Sequence, residues 1–435
     1  LSVRTILETE SNSAARKMRI AFFLNSFPEI SETFVLNQIT GLLDRGHDVV
    51  IYAKHRGADA PIHPCITRYE LLRRTRYLLR PPSSALARRI AALAHLIQQL
   101  PLNPAKVARA FPACLRGGRP CKILCTGLSL LPERPCDAVL AHFGTSGARA
   151  IRLRRVGALS GRIATVFHGF DMTKKLTKAG RRAYDDLFQE GELFLPISQR
   201  WSRSLAHLGC PADRTVVHRM GIDRGMFPFA PREDNPNQPV NIVSVARLVE
   251  KKGIEYGLRA VAETSRRHPR VRYTVVGDGP LRPELERLAS RLGTLDRVRF
   301  LGMRSLDEVA DVLRTASIFL APSVTGADGD QEGIPVALME AMSSGLPVIS
   351  TQHSGIPELV EHGISGFLAP EADAAALARH LTHLIEHPEL WPAMGEAGSR
   401  KIQAEYDIET LNDRLVGLLE RLCAVSPAPN PPART

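Results

Sequence analysis

Two glutamates eight positions apart, Glu332 and Glu340, frame the segment EGIPVALME inside a stretch that is otherwise apolar and glycine-rich. Carboxylates in such company need a reason, because burying an unpaired charge is costly. Upstream, SIFLAPS reads as a strand and VTGADGDQ as a loop. A helix follows whose first position suits Pro335, where the missing N–H costs nothing. Backbone N–H groups at that helix start are free to meet an anion. Glu332 lies just before the start, and Glu340 comes about a turn and a half into the helix. A carboxylate accepts two hydroxyls at once. The pattern therefore suits a nucleotide sugar, with its hexose on Glu332, its diphosphate on the helix start and its ribose on Glu340. Two solvated glutamates without a ligand are the plain alternative. Gly333, Pro335 and the apolar face of the helix argue against a solvent-facing start.

Positioning these groups requires strands that end at them, and the chain supplies a repeated plan. MRIAFFLNSF, HDVVIYA, DAVLAHF, IATVFHG, ELFLPIS and TVVHRM read as strands of a first half, the last at 215–220. SETFVLNQITGLLDRG between the first two is helical in period, with Ser31 suited to the N-cap and Gly46 to the end. VNIVSVA, RYTVVGDG, VRFLG, SIFLAPS and LPVIST are strands of a second half, with GIEYGLRAVAETSRRH as a helix among them. Such alternation implies parallel sheets covered on both faces. The expected fold is α/β, with two Rossmann-like, doubly wound domains facing one cleft, where ligands meet the carboxyl ends of strands. Expected boundaries are a loose leader over 1–17, a first domain over 18–229, a linker over 230–239, a second domain over 240–424 and a disordered tail over 425–435.

A chain of 435 residues is too long for one compact core. No stretch has the length and apolarity of a spanning helix, and the first residues lack a signal-peptide core, so a cytoplasmic protein is expected. The seven cysteines show no Cys-x-x-Cys spacing. A zinc site among the four between 114 and 136 is conceivable, but unpaired thiols in a loose insert are the plainer reading. Charge is uneven. Residues 1–225 carry 35 Lys and Arg against 17 Asp and Glu, a net +18, whereas residues 226–435 carry 22 against 28. Much of the excess lies in a basic helical insert over about 65–131. Within it, Leu86, Ile90, Leu93 and Ile97 recur at helical spacing beside Arg88 and Arg89. A basic amphipathic segment can lie on an anionic bilayer surface. Packing of the same stripe against its own domain is the alternative. Nucleic-acid binding has only the high pI in its favour, without aromatic-rich basic patches or a reading helix.

EGIPVALME is the E-x7-E pattern of retaining glycosyltransferases of family 4, which have the GT-B fold. GLPVIST and SGIPELVEHGISGFL resemble the same family, and the likeness extends over most of residues 18–410. The resemblance implies a donor-sugar contact for Glu332 and a ribose contact for Glu340. It places Gly333, Ile334, Pro335 and Val336 along the donor. SVARLVEKKG resembles the family's phosphate clamp, which implies Arg247 and Lys252, with Lys251 adjacent. VFHG implies that His168 meets the donor sugar near the reacting centre. VGDGP resembles a structural turn around Asp278. SFPEISETF, residues 26–34, departs from the glycine-rich loop of many relatives. Ser26, Glu32 and Thr33 there could line the acceptor side, without assigned roles. That segment and GADGDQEGIP resemble the subgroup of exopolysaccharide enzymes that includes colanic-acid galactosyltransferases. Asp328 and Asp330 resemble a metal-binding pair of another fold, but loop geometry or sugar contact suits them better here.

The resemblance thus implies a retaining hexosyltransferase that takes a UDP-sugar, or alternatively a GDP-sugar, with no bound cofactor and no metal. Galactose is the favoured hexose. The acceptor would be a glycan or lipid-linked oligosaccharide, met by the first domain at the inner face of the membrane. A non-hydrolysing sugar-nucleotide epimerase of the same fold and a catalytically silent binding protein are the rival readings.

Overall fold

The computed structural model describes residues 16–29, 32–57, 63–173, 176 and 180–424. The expected leader up to residue 15, the tail from residue 425 and the Ser31 N-cap lie outside them. The helix after the first strand, α1 (Thr33–Asp44), has Glu32 at its N-cap.

The first sheet contains β1 (Arg19–Phe27), β2 (Asp48–Arg56), β3 (Thr75–Tyr77), β4 (Ala138–His142), β5 (Arg162–Phe167) and β6 (Leu193–Pro196), in the order β3-β2-β1-β4-β5-β6. The second contains β7 (Val240–Val245), β8 (Val271–Val276), β9 (Val298–Gly302), β10 (Ile318–Ala321), β11 (Val348–Thr351) and β12 (Gly366–Ala369), in the order β12-β11-β10-β7-β8-β9. Every pairing is parallel. Each order reverses beside its first strand, and each reversal opens a crevice at the carboxyl ends. The near-continuous apolar runs of β1 and β4 are what strands covered on both faces require, and residues 20–24 and 138–142 are fully buried.

Two strands escaped the sequence reading. β3 has three residues and sits inside the basic insert, pairing with Ile51–Ala53 of β2. β12 has four residues and pairs with β11. Conversely, TVVHRM is not a strand. Val216 and His218 donate their N–H groups to Phe194 and Pro196 of β6, but pairing stops at one bridge because the chain then peels away towards the second domain. The insert otherwise folds as α2 (Ala85–Gln99), α3 (Pro104–Arg116) and α4 (Gly118–Thr126), packed on one another.

Further helices used below are α5 (Gly144–Arg155), α6 (Gln199–His207), α7 (Ile254–Ser265), α8 (Val336–Ser343) and the final α9 (Ile408–Ala424). The last of these crosses back. Leu415, Leu418, Leu419 and Leu422 of α9 join the core of the first sheet, and Arg45 pairs with Glu409 and Asp413.

A second tie between the halves lies beside the cleft. Ser198 caps α6 through its hydroxyl, which accepts from the Trp201 N–H. The next two orphan N–H groups, of Gln199 and Arg200, donate to the Glu358 carboxylate from the second half at 2.8 and 2.7 Å. A carboxylate at a helix N-terminus gains from both the hydrogen bonds and the dipole. Glu358→Ala therefore removes a cap that joins the domains. We expect a stability loss of about 1–2 kcal/mol in thermal unfolding, and a wider distribution of molecular shapes by small-angle scattering.

Candidate active site

The segment after β10 carries Glu332 to the start of α8. The helix begins at Val336, so Pro335 is its N-cap and not its first residue, one position earlier than the sequence reading. Its carbonyl accepts from Leu338 and Met339, which leaves the N–H groups of Val336 and Ala337 without intrahelical partners. Glu340 is therefore four residues, about 6 Å, along the helix axis from its first position.

Glu332 is buried, and both ends of its peptide are held. Its N–H donates to Nε2 of His353 at 3.0 Å, and its carbonyl accepts the Ser354 hydroxyl at 2.6 Å. Ser354 has φ +49°, a left-handed conformation that non-glycine residues seldom adopt. His353 is fully buried, and its Nδ1 lies 2.7 Å from Oε1 of Glu371. Since Nε2 accepts from Glu332, Nδ1 carries the proton and donates to Glu371. The other Glu371 oxygen accepts the Thr325 N–H at 2.7 Å. Two loops are thereby tied to one imidazole.

The Glu332 side chain faces cations. Its Oε2 lies 2.9 Å from Nζ of Lys252, and its Oε1 is 3.7 Å from Nζ of Lys251. Burial pushes this carboxyl up, but the Lys252 and Lys251 charges and the Lys252 hydrogen bond outweigh it, so Glu332 stays below its ordinary range and ionised. Oε1 is buried with no hydrogen-bond partner. Lys251 also reaches Asp330 at 3.2 Å, while Asp328 accepts the Asp330 N–H at 3.0 Å and so shapes the loop. Among the described residues no cluster of three His, Cys, Asp or Glu is arranged to hold a metal.

Lys252 closes a single helical turn that ends at Gly253. Gly253 has φ +61°, and a Cβ there would meet the Pro322 carbonyl at 1.9 Å. Only glycine lets the chain turn this tightly from Lys252 into α7. Arg247 follows β7 and is exposed. It faces the first half, where its charge lowers the Glu32 carboxyl; burial and then Glu29 outweigh it and push Glu32 up to about 7. Glu340 is buried as well, and burial alone pushes its carboxyl up to about 7. Asp278 is occupied by the Gly279 N–H and by Arg282.

The first half supplies His168 at the end of β5. A Cβ on the following Gly169 would meet the backbone of Gln331 and Glu332 at 2.7 Å, so the chain next to His168 presses on the Glu332 peptide. Gly333 is equally close to Ile197. The ring of His168 lies against Phe34 and Phe143 and, at 3.2 Å between Nε2 and Nδ1, against His142. Burial lowers His168 to about 3, and His142 well below its ordinary value, so both rings are neutral near pH 7. Asp171 accepts the N–H groups of His168 and of Gly144 at the start of α5, which fixes the backbone of this corner.

The structure thus gathers Glu332, Lys252 and the start of α8, with His168 opposite and Arg247 at the rim. A protein assigned to colanic acid biosynthesis as a glycosyltransferase, WcaL of Escherichia coli (strain K12), is 40% identical over 413 residues, covering 93% of this chain and all of that protein. This chain is a glycosyltransferase. The family model of glycosyl transferases group 1 matches residues 229–401. An amylovoran biosynthesis glycosyltransferase, AmsK of Erwinia amylovora, is 39% identical over 408 residues, 93% of this chain and all of that one. The fold also resembles Anabaena HepE in complex with UDP-glucose, with TM-score 0.68 and 18% identity over 94% of this chain and 100% of that one. Two six-stranded parallel sheets around a cleft make this a GT-B glycosyltransferase.

His353, Glu371 and Asp171 did not emerge from the sequence as site residues. His353 meets Glu332 and Glu371 at 21 and 18 positions, and Glu371 meets Thr325 at 46, so no local spacing marks that pair. Asp171 is different, because it returns to the His168 N–H three positions earlier, a capping spacing that could have marked it. His353→Ala removes the acceptor of the Glu332 N–H, and we expect sugar transfer to fall roughly 10- to 100-fold in kcat/KM, as a small misplacement does. Glu371→Gln, which keeps a hydrogen-bond acceptor, should lose less. Initial rates of both variants check this.

Proposed function

We propose that this glycosyltransferase moves a hexose, with retention of configuration, from a nucleoside diphosphate sugar to a growing exopolysaccharide or cell-surface oligosaccharide on a lipid carrier. UDP-galactose is the favoured donor, ahead of GDP-mannose and UDP-glucose. The names of the two long relatives, in colanic acid and amylovoran biosynthesis, support the exopolysaccharide role, and the UDP-glucose in HepE supports a nucleotide-sugar donor.

The observation that carries this reading is Oε1 of Glu332. It is ionised, buried and without a hydrogen-bond donor beside a lysine pair and a helix start. A buried acceptor left unmade is expensive, and a sugar hydroxyl at that point satisfies it. The diphosphate then meets Lys252, Arg247 and the N–H groups of Val336 and Ala337. As the glycosidic bond breaks, these preorganised charges stabilise the leaving phosphate. The acceptor hydroxyl attacks on the face that the phosphate leaves, and its proton passes to the phosphate oxygen. Neutral His168 meets the hexose from the first domain without adding a charge. Gly333, Ile334 and Pro335 line the donor with their backbone, and Glu340 accepts the ribose hydroxyls. Closure of the two halves excludes water and so limits hydrolysis.

The test is saturation binding and turnover of a panel of nucleotide sugars, with the anomer of the product read by NMR. One donor should bind and transfer with retention, and Glu332→Ala and Lys252→Ala should each lose at least about 100-fold in rate. Donor consumption with no acceptor product supports an epimerase instead. No donor binding in the parent supports the silent binding protein.

Glu340 gives this reading a pH signature. Burial places its carboxyl at about 7, and only the ionised form accepts both ribose hydroxyls. Nucleotide-sugar affinity should therefore rise by about tenfold from one pH unit below that value to one above. Glu340→Gln should flatten this dependence in calorimetric titrations.

A further inference from the structure

The apolar stripe of α2 faces outward. The helix rests on the domain through Ala92, Leu96 and Gln99, while Leu86, Ile90, Leu93 and Ile97 are 69, 60, 44 and 61% exposed. These four span about 16 Å along the helix. They are not isolated. Of the fifteen large hydrophobic residues exposed among the described residues, ten fall between Leu72 and Leu115. Phe111 and Leu115 extend the apolar surface onto α3. An exposed apolar concentration of this kind marks an interaction surface.

Charge decides what the partner is. Residues 71–132 contain eleven Lys and Arg and not one Asp or Glu. Lys106 is buried under the backbone carbonyls of Leu130, Leu131 and Glu133, and Arg76 pairs with Glu133. Arg88 and Arg89 donate to backbone carbonyls and keep their net charge beside the apolar ridge. Arg109, Arg116, Arg119 and Lys122 are exposed on α3 and α4. A second copy placed on this face by two-fold symmetry would bring cation against cation. An anionic sheet with an apolar interior satisfies both features at once.

We propose that the outer face of α2 and α3 is a docking surface for an anionic lipid bilayer. In it the ridge from Leu86 to Ile97 enters the headgroup–acyl boundary and the flanking cations meet lipid phosphates. An amphipathic helix lying in the interface plane with a cationic flank binds in this way. No described helix is long and apolar enough to cross a membrane. The inference rests on this surface alone and stands whichever sugar or nucleotide the cleft takes.

The test is co-sedimentation of the full chain with vesicles of phosphatidylcholine, with or without phosphatidylglycerol. Two variants are compared with the parent: one carries Leu86→Ser, Ile90→Ser, Leu93→Ser and Ile97→Ser, and the other Arg109→Gln, Arg116→Gln, Arg119→Gln and Lys122→Gln. The sites changed are exposed, and unchanged thermal unfolding and donor hydrolysis would show that both variants fold. The parent should bind the anionic vesicles at least about tenfold better than the neutral ones, and less well in high salt. Each variant should lose at least about tenfold. A parent that stays in the supernatant with anionic vesicles, that binds both vesicles equally, or whose binding survives the serine substitutions overturns the proposal. So does a dimer in sedimentation velocity that the serine variant abolishes while the parent ignores vesicles.

Discussion

The charge on Glu332 is the constraint around which this cleft is arranged. A carboxylate this deeply buried would take up a proton unless cations held it ionised, and Lys252 and Lys251 do so from the turn after β7. That turn needs Gly253, because any larger residue would strike the carbonyl of Pro322 at the end of β10. The pairing therefore depends on the order of strands in the second sheet, where β7 and β10 are neighbours. The pair leaves one carboxylate oxygen without a hydrogen bond. A site with a held cation and an unsatisfied acceptor is ready to receive phosphate and hydroxyl together, with little reorganisation left for the moment of reaction.

The backbone of Glu332 is as constrained as its side chain. His353 and Ser354 hold the two sides of its peptide, and Gly169 presses on it from the first half. Glu358, a few residues along the same segment, caps α6 in that half. The loop that bears the candidate sugar contact is thus also part of the joint between domains. Opening the cleft requires the Glu358 cap and the Thr173–Gln331 contact to be given up. On the proposed function, one short stretch of chain both meets the donor and joins the halves, which is the arrangement expected of an enzyme that must exclude water.

Much of this was legible in the sequence because it is local. The strand runs of β1, β4, β7 and β10 and the Glu332–Glu340 spacing are patterns within a few residues, whereas Gly253, read as the start of a helix, is the left-handed turn before it. Pro335 was misread by one position, since a proline is as compatible with the N-cap as with the first turn and only the Leu338 and Met339 hydrogen bonds decide. β3 and β12 were missed because three or four residues carry no period. The paired residues His353 and Glu371 come together by tertiary folding, and nothing in their spacing announces it. The stripe on α2 shows a different limit. Periodicity identifies an apolar face but not what covers it, and here the domain covers the opposite face.

The central claim is that Glu332 recognises the sugar while Lys252 recognises the diphosphate. Calorimetric titration of Glu332→Gln with a nucleoside diphosphate, and then with the matching nucleotide sugar, separates the two. The account predicts that the variant binds the free diphosphate as tightly as the parent or more tightly, because Lys252 is released from its ion pair. It also predicts that the sugar then adds no affinity. An equal loss of affinity for both ligands would contradict the account and would mean that Glu332 only supports the fold of the cleft.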